Sequence, residues 1–200
     1  MRLSLRPAQP NVEDGRRFAH YMNEASHGLV RSLFGPHFER IIAEAFLSPG
    51  HDLSYETAVF AETEGRIVGM TSSYCSAQHL ASSDKPVMVA AGLQVIRMIP
   101  LGILGRRCLT FINSVPDGDF YLAAVAVDDL RRGSGIGSML IDDAEERAVT
   151  SGCRRLALDV AVDNTSAIRL YAKRGMSVEA ESPSIVFRPD QRVLRMVKQL

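Results

Sequence analysis

The stretch Phe120–Gly137, FYLAAVAVDDLRRGSGIG, determines how the rest of the chain is interpreted. Its first half is apolar and contains β-branched residues, which predicts a buried strand over Tyr121–Val127. Its second half places Gly133, Gly135 and Gly137 in a short loop that opens an amphipathic helix. The stretch therefore predicts a strand, a glycine-rich turn and a helix in direct succession.

The glycine-rich turn predicts a binding site for a phosphate or pyrophosphate. Residues without a Cβ let the backbone turn sharply and approach a ligand closely. The first N–H groups of the following helix have no partner within the helix, and the helix dipole favours a negative charge at this end. Arg132 adds a cation at the rim of the predicted site.

The order of the glycines separates this turn from two common nucleotide-binding motifs. A dinucleotide-binding fingerprint, G-x-G-x-x-G, needs a third glycine where Ser138 stands, and it follows the first strand of its fold rather than a strand past mid-chain. The phosphate-binding loop G-x-x-x-x-G-K-[ST] is absent as well. The pattern that fits is R-x-x-G-x-G, from Arg132 to Gly137.

A second motif, DNTSAIRLYAKRGM, runs from Asp163 to Met176 and predicts a capped helix. Asn164 and Tyr171 are seven residues apart. On a helix this spacing puts both side chains on one face, about 10 Å apart along the axis. They could therefore contact the same extended ligand.

Together the two motifs resemble the GNAT superfamily of acyl-CoA-dependent N-acyltransferases. The turn is similar to that family's R-x-x-G-x-G loop, and the second motif to its N-x-x-A-x-x-L-Y-x-x-x-G-F segment, with Met176 in place of the phenylalanine. The resemblance covers the chain from Phe120 to Met176, with both motifs in the family's order.

The resemblance implies acetyl-CoA as cosubstrate, no metal, and a role for each motif. The loop would hold the coenzyme A pyrophosphate, the preceding strand would bond the pantetheine arm and polarise the thioester carbonyl, and the Tyr171 hydroxyl would protonate the departing sulfur. The expected cofactor-binding residues are Val125, Ala126, Val127, Arg132, Gly133, Ser134, Gly135, Ile136, Gly137, Ser138 and Asn164.

The predicted fold is a single α/β domain of the α+β type over residues 1–200. We expect a mixed, mostly antiparallel twisted sheet of about seven strands, with a central parallel pair and helices on both faces. Predicted strands span 3–6, 57–62, 66–73, 121–127, 155–162, 177–180 and 193–198. Residues 80–118 are expected to form a helical insertion between the third and fourth strands, interrupted at Pro100.

The insertion has two interpretations. It can supply extra core or a dimer contact, or it can form a lid over the acceptor pocket, since long ordered connections often carry binding functions. Its apolar segment Pro86–Gly105 approaches membrane length, but Gln94, Arg97 and Pro100 interrupt it, which argues against a membrane span.

Composition excludes other classes of protein. The formal net charge is zero and no basic run is present, so no nucleic-acid partner is expected. The three cysteines form no C-x-x-C pair and the amino terminus has no signal-peptide core, which indicates reduced thiols and a cytoplasmic location. The five histidines, His20, His27, His37, His51 and His79, show no metal-ligand spacing and are expected as scattered surface or pocket residues.

The general base is not identified by the sequence. For a lysine-like amine with a pKa near 10.4, being neutral at pH 7 would cost roughly 4.6 kcal/mol. The acceptor amine therefore needs either a base that removes its proton or a pocket that desolvates it. The strand Tyr121–Val127 contains no carboxylate. Asp159 and Glu62 are candidates that would act through water.

The predicted function is acetyl transfer from acetyl-CoA to a primary amine of an unidentified small-molecule or peptide acceptor. The main alternative is a non-catalytic acyl-CoA sensor or regulatory module on the same fold. A nicotinamide-dependent enzyme is the weakest of the alternative functions. A homodimer through the apolar insertion stays open.

Overall fold

A computed structural model describes residues 3–97, 106–184 and 192–200 of the chain. Every strand predicted from the sequence is present in it, with ends that differ by at most two residues. The strands are β1 (Leu3–Pro7), β2 (Ala58–Thr63), β3 (Arg66–Cys75), β4 (Asp119–Val127), β5 (Arg155–Ala161), β6 (Ser177–Glu181) and β7 (Val193–Gln199). They form one sheet in the order β1-β2-β3-β4-β5-β7-β6.

The described helices lie in the connections β1–β2, β3–β4, β4–β5 and β5–β6. Within the same residue ranges they are α1 (Val12–Ala25), α2 (Leu29–Phe34), α3 (Phe38–Phe46), α4 (Ser76–Leu80), α5 (Lys85–Ala91), α6 (Arg106–Ile112), α7 (Ile136–Thr150) and α8 (Thr165–Lys173). Asn11 caps α1, since its side-chain oxygen accepts a hydrogen bond from the Asp14 N–H. A 3-10 turn at Gly35–His37 separates α2 from α3.

The sheet is mixed, with one parallel pair at its centre. Residues Asp119–Leu122 of β4 lie opposite Arg155–Leu158 of β5 in parallel register, and all other neighbouring strands are antiparallel. Helix α7 makes the crossover that parallel strands require. The predicted fold class, with its central parallel pair, is confirmed.

Helices cover both faces of the sheet. On one face, Phe18 of α1 and Phe46 of α3 are buried against Phe60 and Met70 of the sheet. On the other, α7 buries Ile141 in a cluster with sheet residues that include Leu122 and Leu158. We refer to these as the α1 face and the α7 face. Each of these helices thus turns its apolar stripe toward the sheet.

Gly15, an unfavourable residue for a helix, has a packing role in α1. A Cβ at this position would lie 2.8 Å from the backbone oxygen of Ala43 in α3. Only glycine lets the two helices approach this closely, so the packing gain offsets its poor helix propensity.

The connection between β3 and β4 is helical in its described part, as predicted. Val87, Ala90 and Ala91 of α5 are buried. The residues Gly92–Arg97 form a 3-10 turn in which Leu93 is 87% exposed, so the predicted helix does not continue into them in regular α form. The predicted interruption at Pro100 lies outside the described residues.

His51 corrects the expectation that each histidine is a surface or pocket residue. Its side chain is buried, its Nε2 lies 2.9 Å from the Ala45 carbonyl oxygen, and its Nδ1 accepts a hydrogen bond from the Leu53 N–H. Both ring nitrogens are used by the backbone, so His51 has a structural role.

Candidate functional site

Strands β4 and β5 separate at the centre of the sheet. Their described pairing ends at Leu122 opposite Leu158, although β4 continues to Val127 and β5 to Ala161. We call the opening between Ala123–Val127 and Asp159–Ala161 the fork. On this side, the backbone groups of β4 pair with no strand among the described residues, which leaves hydrogen-bonding capacity for an extended ligand.

A β-bulge in β4 lies at the start of the fork. Ser72 of β3 is opposite Ala124 and Ser73 is opposite Leu122, so Ala123 is an extra residue in β4. The bulge shifts the alternation of side chains. Before it, Leu122 packs on the α7 face, and after it Val125 does so while Ala124 packs on the α1 face. The bulge therefore sets the direction of the backbone groups at the fork.

The glycine-rich loop lies between the end of β4 and the start of α7. Gly133 has a φ of +77° and Gly135 a φ of +87°, and a Cβ at either position would meet nothing within 4 Å. These two glycines are needed for the backbone conformation. Gly137 lies within the helix, and a Cβ there would meet only a Val127 methyl group at 3.7 Å, so the protein itself does not require glycine at that position.

The loop and the first turn of α7 carry a group of unpaired donors. Helix α7 has no side-chain cap at Gly135. Among the described residues no acceptor bonds the N–H groups of Gly133, Gly135, Ile136, Gly137 and Ser138. These donors, at the positive end of a helix of four turns, form an environment that suits an anion.

Arg132 lies at the edge of this group and is itself paired. Its guanidinium contacts Asp129 Oδ1 at 2.6 Å, and its side chain is 66% exposed. The cation is therefore near the loop, but an anion bound there would share it with Asp129. Because the pair is exposed, its own stabilisation is small.

Asn164 and Tyr171 lie at the two ends of α8. Asn164 Oδ1 caps the helix by accepting from the Ala167 N–H at 3.1 Å, and no acceptor among the described residues bonds its amide nitrogen. The partly buried Tyr171 ring packs against the α7-face cluster, to which Val125 of β4 also contributes. Burial raises the pKa of Tyr171 to about 12, so its hydroxyl is protonated at neutral pH and can donate.

Both candidate bases are held in ion pairs. The Asp159 side chain is 6% exposed and accepts hydrogen bonds from Arg195 Nε, Arg195 Nη2 and the Tyr121 hydroxyl at 2.8–2.9 Å. Glu62 pairs with Arg6 at 2.6 Å and lies on β2, two strands from β4. Each carboxylate is thus engaged by an arginine, and the base stays unassigned.

The α1 face of the fork contains residues that the sequence did not connect. Tyr121 is buried there beside Tyr74, with ring centroids 5.7 Å apart. Burial and the neighbouring Asp159 carboxylate hold the pKa of Tyr121 well above its usual range, so its hydroxyl remains a donor to Asp159. The sequence predicted only a buried apolar strand here, because the partners of Tyr121 come from other strands.

The described residues contain neither a candidate metal site nor a candidate membrane span. Among residues 3–97, 106–184 and 192–200, no group of three or more His, Cys, Asp or Glu side chains is arranged to hold a metal ion. None of the helices in these ranges has the length and apolar character needed to cross a lipid bilayer.

One family model matches most of the chain. Residues 25–176 match the model of the Acetyltransferase (GNAT) family. The chain is 32% identical over 79 residues to the uncharacterized protein YdhI of Bacillus subtilis (strain 168), a match that covers 40% of this chain and 47% of that protein. The chain thus spans about half the length of this curated relative.

Solved structures show the same fold. The chain is similar to a crystal structure described as an acetyltransferase, with a TM-score of 0.67 and 22% identity over 98% of both chains. It is also similar to an N-acetyltransferase from Staphylococcus aureus Mu50, with a TM-score of 0.66 and 17% identity over 98% of this chain and 100% of that one. The structure of Ard1 from Thermoplasma volcanium gives a TM-score of 0.56 and 17% identity over 100% of this chain and 99% of that one.

Proposed function

Because the chain belongs to the GNAT acetyltransferase family, we propose that it transfers an acetyl group from acetyl-CoA to a primary amine of a small-molecule or peptide acceptor. The observation that carries the proposal is the group of N–H donors without a partner among the described residues, adjacent to the open fork; these are the N–H groups of Gly133, Gly135, Ile136, Gly137 and Ser138. A diphosphate needs such donors, and an extended amide chain needs a free strand edge.

In this proposal the coenzyme follows the α7 face from the loop to the fork. The backbone N–H groups of Gly133, Gly135, Ile136, Gly137 and Ser138, with Ser134 and Arg132 beside them, bind the diphosphate. Val125, Ala126 and Val127 pair with the pantetheine arm, and the amide nitrogen of Asn164 donates to the same ligand. Each charge-assisted bond contributes about 1.5–3 kcal/mol, so several of them suffice for an anchor.

The proposed reaction passes through a tetrahedral intermediate. The amine nitrogen forms a bond to the thioester carbon, and the carbon–sulfur bond then breaks. A backbone N–H of Val125–Val127 stabilises the oxyanion, which is the kind of preorganised donor that lowers such barriers most. The thiol product needs one proton, and the amine loses one, so the two transfers balance.

Tyr171 is proposed to act on the departing sulfur. Its pKa of about 12 exceeds that of a thiol, near 8.5. Transfer of the Tyr171 proton to the thiolate is therefore unfavourable by itself. It becomes favourable if the proton that the amine releases returns to the Tyr171 oxygen. Tyr171 first stabilises the sulfur by donating a hydrogen bond and then relays a proton.

One observation favours the alternative of a non-catalytic acyl-CoA sensor. The carboxylates considered as bases, Asp159 and Glu62, are both engaged in ion pairs. An enzyme without a free base must accept the amine in its neutral form, whereas a sensor needs no base at all. Both functions predict acetyl-CoA binding, and only the enzyme predicts turnover.

The experiment that tests the proposal is a thiol-release assay with acetyl-CoA over amines, amino acids, polyamines, antibiotics and peptides. We expect release of free coenzyme A that depends on at least one of these acceptors. Binding of acetyl-CoA without turnover on the whole panel would favour the sensor, and absence of binding would rule out both functions.

Replacing Asn164 by aspartate separates its two roles. Aspartate keeps the helix cap, so we expect the free energy of unfolding to change by less than about 0.5 kcal/mol. It removes the amide donor and adds a negative charge, so acetyl-CoA affinity measured by calorimetry should fall about tenfold or more. Asn11→Asp, at the equivalent cap of α1, is the control. Wild-type affinity in Asn164→Asp would leave Asn164 only as a cap.

Location and assembly stay predictions. The three cysteines are unpaired, which agrees with the cytoplasmic location proposed from their spacing. Exposed apolar side chains on α5 and the turn that follows it, such as Val89 and Leu93, are the residues that a homodimer of the proposed kind would cover.

A further inference from the structure

Arg195 links the fork to the connection between β3 and β4. It lies on β7 directly opposite Asp159 in the antiparallel register, and only 5% of its side chain is exposed. Its Nε and Nη2 donate to the two Asp159 oxygens at 2.9 and 2.8 Å. Asp159 is the first residue of β5 beyond the last parallel pair, so this ion pair forms the wall of the fork on the α1 face.

The same guanidinium binds the carboxyl end of α6. Arg195 Nη2 donates to the Phe111 carbonyl at 2.9 Å, and Nη1 donates to the Ser114 carbonyl. The guanidinium carbon also lies 4.7 Å from the centre of the Phe111 ring. A cation is favourable at this position because the last carbonyls of a helix are unpaired and carry the negative end of its dipole.

A second side chain, that of His79, holds the carbonyl of Asn113, which lies between Phe111 and Ser114. His79 of α4 places Nε2 2.9 Å from the Asn113 carbonyl oxygen and Nδ1 2.6 Å from Asp52 Oδ2. Its ring stacks on Tyr74 at 5.5 Å, beside the α1 face of the fork. Three carbonyls within Phe111–Ser114 are therefore fixed by side chains from outside α6.

This arrangement bears on the acceptor if the proposed function is correct. The coenzyme would occupy the α7 face, where the glycine-rich loop and Tyr171 lie. The amine must then reach the thioester carbon from the α1 face, where Tyr121, Asp159 and the end of α6 meet. The acceptor therefore passes the segment that Arg195 holds.

We propose that the carboxyl end of α6, residues 111–114, forms one wall of the acceptor site, and that Arg195 is the positioning residue that fixes this wall to the fork. The inference rests on the proposed function. It favours the interpretation in which the insertion acts at the acceptor pocket, because residues 111–114 are tied to the wall of the fork. An insertion that only filled the core or contacted another copy would not act on the acceptor.

The test is Arg195→Lys in the full-length protein. Lysine keeps a positive charge opposite Asp159, so the buried carboxylate is not left uncompensated. Lysine cannot reproduce the planar guanidinium group, whose several N–H donors bind Asp159 and two carbonyls at once. The matched control is Arg155→Lys, because Arg155 binds Asp119 with the same two-bond geometry, at 2.8 Å for both bonds, at the opposite end of β5.

Two readouts are expected to change in Arg195→Lys and not in the control. The amides of Asn113 and Ser114, which bond to Leu109 and Phe111 carbonyls, should exchange hydrogen about tenfold faster. The KM for the best acceptor found in the amine panel should rise about tenfold, while the Kd for acetyl-CoA stays within about twofold.

Each other outcome overturns a different claim. Unchanged exchange at Asn113 and Ser114 would show that Arg195 does not fix the segment. Faster exchange with an unchanged acceptor KM would show that the segment is not a wall of the acceptor site. A wild-type protein that turns over no amine would overturn the proposed function and the acceptor wall with it, whereas the first two outcomes leave the function intact.

Discussion

Replacement of Gly135 by valine is expected to weaken acetyl-CoA binding about a hundredfold or more. Gly135 has a φ of +87°, a region that β-branched residues avoid, and it precedes the first turn of α7. Valine would move the backbone away from this conformation and turn the N–H groups of Gly135 and Ile136 away from a shared ligand. Losing two charge-assisted bonds of about 1.5–3 kcal/mol each accounts for the expected factor.

The control for this variant is Gly152→Val. Gly152 follows the other end of α7, has a φ of +73°, and a Cβ there would also meet nothing within 4 Å. Both variants should therefore lower the free energy of unfolding by similar amounts, while only Gly135→Val loses binding in calorimetry. Equal affinity in the two variants would refute the proposed anion site.

Replacement of Tyr171 by phenylalanine is expected to lower kcat by about ten- to a hundredfold, with the Kd for acetyl-CoA within about twofold of wild type. The hydroxyl makes no hydrogen bond to any residue in the described ranges, so its removal should cost little stability. Its loss would remove the donor to the departing sulfur, which matters in the transition state and not in the bound ground state.

The pH dependence gives a second test of the same role. Burial raises the pKa of Tyr171 to about 12, above the ordinary tyrosine value of 10, so the hydroxyl keeps its proton as the pH rises through 10. The wild-type kcat should therefore show no decrease from this group below about pH 11.

The control for Tyr171→Phe is Tyr55→Phe, because Tyr55 is also partly buried but packs against the α1-face cluster. Wild-type kcat in Tyr171→Phe would exclude the proposed role.

Much of the fold could be predicted because the chain marks its elements locally. Glycines stand where the backbone needs a positive φ, as at Gly133, Gly135 and Gly152, and they mark a loop and the end of a helix. Asn11 and Asn164 mark helix starts, because their side-chain oxygens cap the first turn. The central parallel pair followed from a strand, a crossover helix and a second strand in succession.

The parts that could not be predicted depend on contacts between distant segments. The bulge at Ala123 lies in a run of alanine and valine that carries no mark of an extra residue. The pairing of Asp159 with Arg195 depends on the register between β5 and β7, which are far apart in sequence. His51 is buried because two backbone groups happen to meet its ring, and no spacing in the sequence indicates this.

Hydrogen exchange measured by mass spectrometry with and without acetyl-CoA tests the central claim most directly. The claim is that the unpaired donors of the glycine-rich loop and the free edge of β4 bind the coenzyme. We predict that saturating acetyl-CoA slows exchange in peptides that cover 123–138, while peptides that cover β1 and β2 are unchanged. Binding of acetyl-CoA that leaves exchange across 123–138 unaltered would contradict the account.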